Sequence, residues 1–102
     1  MNWRVVVRPE AEDDVVEAAS WYDSRSEGLG AKFAEEVIAI FDALAINPRL
    51  HCRRHPSKNI RWRYPDHFPY RVIYEVIEEE KRVVVGGVIH AARRDREWRR
   101  RF

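Results

Sequence analysis

The stretch from Phe68 to Trp98, FPYRVIYEVIEEEKRVVVGGVIHAARRDREW, constrains the fold more than any other part of the chain. Tyr70, Val72, Tyr74 and Val76 alternate with Arg71, Ile73, Glu75 and Ile77. That period of two sends successive side chains to opposite faces of a sheet. Their β-branched and aromatic side chains suit a pleated, half-buried surface. Glu78, Glu79, Glu80 and Lys81 then bring the chain to the surface and into a turn. Arg82 to Ala91 returns as a Val-rich, nearly all-apolar strand, the composition of a strand covered on both faces. Such a hairpin needs cover, and the rest of the chain must supply it.

The N-terminal half supplies helices. Trp3 to Arg8 reads as a short strand, with Trp3, Val5 and Val7 on one face. Pro9 suits the first turn of a helix, where a missing N–H costs nothing. Glu10, Glu12, Asp13 and Asp14 set negative charge against the positive end of that helix. Ala11, Val15, Ala18 and Tyr22 form one helical face, and the helix is expected to end near Ser24. Gly28 and Gly30 mark a break. From about Gly30 to Ile46 a second helix carries one stripe of Leu29, Phe33, Val37, Ile40 and Leu44 and an adjacent stripe of Ala34, Ile38, Phe41 and Ala45. So wide an apolar arc predicts packing on two neighbours, here the first helix and the sheet. Asn47-Pro48 stops it, leaving an antiparallel helical hairpin with Trp21, Tyr22 and Phe33 in the core.

Residues 48–59 show no period and read as a basic loop. Ile60, Trp62 and Tyr64 alternate with Arg61 and Arg63, a strand with one apolar and one cationic face. Pro65-Asp66-His67 leads into the central hairpin. The last ten residues hold six arginines and are expected to form a short helix. The order is β-α-α-β-β-β with a short C-terminal helix. This is an α+β fold in two layers, with the helical hairpin covering a mostly antiparallel four-stranded sheet. At 102 residues, 1–102 reads as a single domain.

Composition narrows the function. An apolar fraction of 45% excludes disorder despite 35% charged residues. One cysteine, Cys52, excludes an internal disulfide, and no CxxC pair or histidine spacing suggests a metal site. The opening MNWRVVVRP is too short in apolar content for a signal peptide or a membrane span, so a cytoplasmic protein with no membrane partner is expected. Net charge is +2, unevenly spread. Residues 1–47 hold four Lys/Arg against ten Asp/Glu, giving −6, while residues 48–102 hold fifteen against seven, giving +8. A basic half predicts a polyanion or an acidic protein as partner.

The element order and three stretches resemble the RelE/ParE family of toxins from bacterial type II toxin–antitoxin modules. They are WYxxxxxGLGxxFxxE (Trp21-Tyr22, Gly28-Leu29-Gly30, Phe33, Glu36), FPYRVIYEV at 68–76 and VIHAARRDREW at 88–98. The likeness spans nearly the whole chain and implies one of two activities. One branch cuts messenger RNA in the ribosomal A site; the other poisons DNA gyrase and hydrolyses nothing. In both, a cognate antitoxin wraps and neutralises the toxin.

RNA cleavage through the 2′-hydroxyl needs a base, an acid, and cations for the developing phosphorane charge. The resemblance places the ribonuclease branch's two strand lysines at Arg61 and Arg63, its strand arginine at Arg71 and its later arginine at Arg93. Its C-terminal tyrosine has no counterpart, Trp98 and Arg99 occupying that neighbourhood. Arginine gives up its proton far less readily than lysine. His90 has the chemistry for proton transfer, and equally that of a strand-end histidine bonded to backbone. Arg71 suits a phosphate, or an ion pair with Glu75 or with an acidic antitoxin segment. In the tail, Arg93, Arg94, Trp98, Arg99 and Arg100 form the candidate target-binding group, since arginine with interleaved aromatics serves nucleic-acid and protein interfaces alike. The long hairpin, the absent tyrosine and the arginines in place of lysines imply the ParE-like branch: a gyrase poison held with its antitoxin in a hetero-oligomer. The alternative is a ribosome-dependent mRNA endoribonuclease using Arg61, Arg63, Arg71, His90 and Arg93. A third reading is a degenerate toxin that retains only antitoxin binding. No cofactor is expected in any of them.

Overall fold

The computed structural model describes residues 3–56 and 58–102. Strand β1 (Arg4–Val7) leads into helices α1 (Pro9–Arg25) and α2 (Leu29–Ile46). Strands β2 (Arg53–Arg54), β3 (Ile60–Arg63), β4 (Tyr70–Ile77) and β5 (Arg82–His90) follow, and α3 (Arg96–Arg99) closes the chain. The sheet runs β1-β5-β4-β3-β2, parallel between β1 and β5 and antiparallel elsewhere. The α+β class therefore stands, with five strands where the sequence predicts four. The added strand lies inside the stretch expected to be a loop. It is two residues long, too short to show a period, and β3 calls it into being through the pairs Arg53↔Trp62 and Arg54↔Arg61.

The charged turn of the central hairpin is a single 3₁₀ turn at Glu78–Glu80, after which Lys81 takes a left-handed conformation at φ 49°. Pairing shifts between Ile73↔Gly87 and Tyr74↔Val85, leaving Gly86 as the extra residue of a bulge. The bulge keeps Val83, Val85 and Val88 on the helix side of β5 despite their uneven spacing.

On that side Phe33, Val37 and Leu44 of α2 meet Val72, Tyr74 and Val76 of β4 and the β5 valines, all buried. Burial drives the Tyr74 hydroxyl far above its ordinary pKa, and the hydroxyl donates to the Pro48 carbonyl at 2.6 Å. Rings of the resembling motifs converge here. Tyr22 and Phe33 lie 4.8 and 5.2 Å from Phe68, and Phe33 lies 5.0 Å from Tyr70. The hairpin closes tightly because Gly28 adopts φ 87°, and a Cβ on Gly30 would overlap the Ala19 carbonyl of α1.

One expectation fails. Trp21 is not core: it is 51% exposed, edge-on to Tyr22 with Arg25 stacked over it. The expectation that α2 packs on two neighbours holds, against α1 at Gly30 and against the sheet through Phe33, Val37 and Leu44, although within its second stripe Ile38 is 52% exposed while Ala34, Phe41 and Ala45 are half-buried. Period shows which residues share a face, not how far around the helix the cover extends.

Candidate binding surface

The opposite face of the sheet has its own small core of Ile60, Ile73 and Ile89. The C-terminal segment folds across it and drives Trp98 into its centre, fully buried, with Trp62 and Phe102 packed alongside. Trp98 therefore anchors the tail from beneath and is no exposed contact residue, which corrects its place in the target-binding group. Four residues are too few for a helical period to reveal that its only tryptophan points inward.

Arg71 fastens this cover. It projects from β4 to the tail side and is 6% exposed. One guanidinium nitrogen meets Asp95 Oδ1 at 3.1 Å, another donates to the Arg93 carbonyl at 3.1 Å, and the group lies 5.8 Å from the Trp62 ring. The Trp98 indole N–H reaches the same Asp95 oxygen at 3.4 Å. The hydrogen bond from Arg71 is the largest influence on Asp95, and it holds that carboxyl below its usual pKa. A second fastening lies at the terminus. Arg101 meets Asp14 of α1 at 2.6 Å and donates to the Gly86 carbonyl at 3.1 Å, Arg8 donates to the Arg101 carbonyl, and the Phe102 ring occupies the space a side chain at Gly86 would fill.

Around these anchors the tail shows cations outward. Arg93, Arg94, Arg96, Arg99 and Arg100 are all exposed. Arg93 pairs with Glu97 at 3.5 Å and Arg99 with Asp95 at 4.0 Å, loose surface pairs that hold little energy. Among the described residues, the side chains of Arg94, Arg96 and Arg100 have no partner. Exposed Arg53 shares the Trp62 face of the sheet by its register, and the His55 ring lies 6.2 Å from Trp98, so the β2–β3 hairpin borders the same surface. Arg53, Asp95, Arg101 and Phe102 escape notice in the sequence. Only Asp95, among the arginines of the tail, carries a signal there.

The residues proposed for RNA cleavage do not assemble. Arg61 and Arg63 pair with Tyr74 and Val72, which places them on the helix side of the sheet. Arg61 reaches Cys52 Sγ at 3.5 Å. Arg71 lies on the other face, engaged by Asp95 rather than by Glu75. His90 pairs with Tyr70 across the helix side, separated from β3 by the whole width of β4, and its Nδ1 accepts the Ala92 backbone N–H at 3.0 Å. Arg93 lies beyond the strand end, its carbonyl holding Arg71. Among the described residues no group of three or more His, Cys, Asp or Glu is placed to hold a metal ion, and no helix is long and apolar enough to cross a membrane.

Comparison with known proteins agrees with this architecture. A search of curated proteins found no significant match to the sequence. Among solved structures, a chain titled as the chromosomal ParDE TA system from P. aeruginosa superposes with a TM-score of 0.73 at 11% identity, covering 86% of this chain and 95% of that one. At that identity the likeness speaks for the fold. The sequence model of the ParE toxin of the type II toxin–antitoxin system parDE matches residues 5–95. The chain thus belongs to the ParE toxin family, a member of the RelE/ParE superfamily.

Proposed function

We propose that this chain is the toxin of a type II toxin–antitoxin module, that it arrests growth by binding DNA gyrase through its C-terminal segment, and that a cognate antitoxin neutralises it in the cytoplasm. The reading takes residues 1–102 as one domain acting by binding rather than by hydrolysis. The observation that carries it is the division of labour in the tail. Trp98 and Arg71 hold the segment rigidly from beneath, while Arg93, Arg94, Arg99 and Arg100 face outward. Rigid anchoring lowers the entropy lost when those long side chains meet a partner. A ribonuclease, by contrast, needs its acid, base and cations within reach of one phosphate. Here Arg71 is separated from Arg61, Arg63 and His90 by the sheet itself.

Expression in bacterial cells tests the proposal with two readouts. Filamentation with double-strand breaks and an SOS response is the expected outcome, relieved when Arg94, Arg99 and Arg100 are replaced together by glutamate. Rapid loss of translation with cleaved messages would place the protein in the ribonuclease branch instead. Absence of either effect would leave a degenerate toxin.

A further inference from the structure

We propose that the cleft between α1 and the C-terminal end of β5 receives one arginine or lysine side chain, carried in an otherwise apolar segment of the antitoxin. This deepens the function proposed above and rests on it for the identity of the partner. The cleft encloses about 720 Å³, with Trp21 and Tyr22 from α1, Tyr70 from β4 and His90 from β5 around it. Tyr70 lies 5.2 Å from the His90 ring and 6.1 Å from Tyr22, each pair edge to face.

Charge selects the occupant. Asp14, Glu17 and Glu97 line the cleft against Arg93 and Arg101, which leaves it one negative charge on a chain that is +2 overall. Asp14 is already committed to Arg101 at 2.6 Å and to the Val88 backbone N–H at 2.9 Å. Glu97 is answered by Arg93 at 3.5 Å. Glu17 alone has no partner among the described residues, and neither do the hydroxyls of Tyr22 and Tyr70. Burial raises the Tyr70 hydroxyl, Arg93 opposes that rise, and Asp14 and Glu17 reinforce it, so the phenol sits within the field of these groups. A cation entering this space exchanges water for ring faces and an unpaired carboxylate. An anion meets that carboxylate head-on, which sets the site against nucleotide phosphates. The Trp21 ring already accepts a guanidinium, that of Arg25 at 4.6 Å.

Position selects the antitoxin over the target. The far wall consists of Arg93, Glu97 and Arg101, the root of the arginine-bearing tail. A segment seated here covers that root and leaves the outer arginines crowded, which is what an inhibitor does.

The test titrates the ¹⁵N-labelled protein with acetyl-Leu-Arg-Leu-amide while following the Trp21 indole N–H by NMR. Parallel titrations use the citrulline peptide, the glutamate peptide and AMP. Saturable shifts at Trp21 and around Glu17 are expected with the arginine peptide. Binding should weaken roughly three- to tenfold for citrulline and for the surface variant Glu17→Gln. The glutamate peptide and AMP should bind more weakly still. Equal or tighter binding of glutamate peptide or AMP would overturn the proposal, as would an arginine-peptide affinity unmoved by Glu17→Gln. No saturable shift at all would also end it. If the antitoxin still neutralised the toxin in cells in any of those cases, the cleft assignment alone would fall and the toxin reading would stand.

Discussion

Two glycines show how much a single position depends on what lies beside it. At Gly30 a Cβ meets the backbone carbonyl of Ala19, which cannot move unless α1 and α2 separate. Gly30→Ala is therefore expected to cost about 1–3 kcal/mol by overpacking. At Gly86 the obstacle is the Phe102 ring, the far end of a side chain that can rotate aside where a backbone carbonyl cannot. Gly86→Ala should expel that ring and leave the hairpin intact, costing about 1 kcal/mol or less. Urea unfolding of the two variants, with unchanged m-values, checks the contrast. His67 offers a pH test at the same scale. Its Nδ1 lies 2.6 Å from Glu36, whose other oxygen accepts the His67 backbone N–H at 3.0 Å. The Glu36 hydrogen bond raises the His67 pKa, and although desolvation pushes Glu36 up, the bonds from His67 outweigh it and leave that carboxyl lowered. A raised histidine contributes stability that is full below its unfolded pKa of about 6.5 and disappears as pH rises through the higher folded value. The lowered carboxyl contributes above its unfolded pKa of about 4.3 and fails in stronger acid. Thermal midpoints should thus show a contribution at pH 5.5 that is gone at pH 9, and Glu36→Gln should abolish the difference.

The tail is the element whose behaviour is least like its sequence. Trp98→Ala removes a fully buried ring and should cost about 3–5 kcal/mol. Asp95 provides a gentler lever, because its lowered pKa means the clasp is complete above the unfolded value of about 3.9 and opens as pH falls through the folded one. Acid titration should red-shift the tryptophan emission before global unfolding, and Asp95→Asn should show the shifted emission already at neutral pH. The central hairpin, the two helices and the mostly antiparallel character of the sheet are legible, because β4 alternates over eight residues and α2 repeats over five turns, whereas the β1-β5-β4-β3-β2 order with its parallel β1 is not. Nor is the clasp. Arg71 and Asp95 lie 24 positions apart, and nothing local in RRDREWRRRF tells that its tryptophan meets Ile73 and Ile89 beneath. Trp21 is a different case. It precedes Tyr22 in the chain but lies outside the stripe of Ala11, Val15, Ala18 and Tyr22, and that turn about the helix axis leaves it 51% exposed.

At the scale of the molecule, charge and geometry divide the labour. The acidic α1 and α2 hairpin covers one face of the sheet, and the basic tail covers the other. An acidic partner should therefore be steered to the tail side, and its association rate should fall roughly tenfold or more between low and high salt, measured by stopped flow. A rate independent of salt would remove steering from the account. The central claim is that an arginine surface clamped from beneath by Trp98 holds a macromolecular target and turns nothing over. DNA supercoiling by purified gyrase tests it most directly, with the wild-type chain set beside Arg94→Glu/Arg99→Glu/Arg100→Glu. Inhibition with accumulation of cleaved DNA by the wild type, lost in the variant while its fold persists, is the result expected. Full supercoiling in the presence of excess wild-type protein, or inhibition undiminished by the three glutamates, would contradict it.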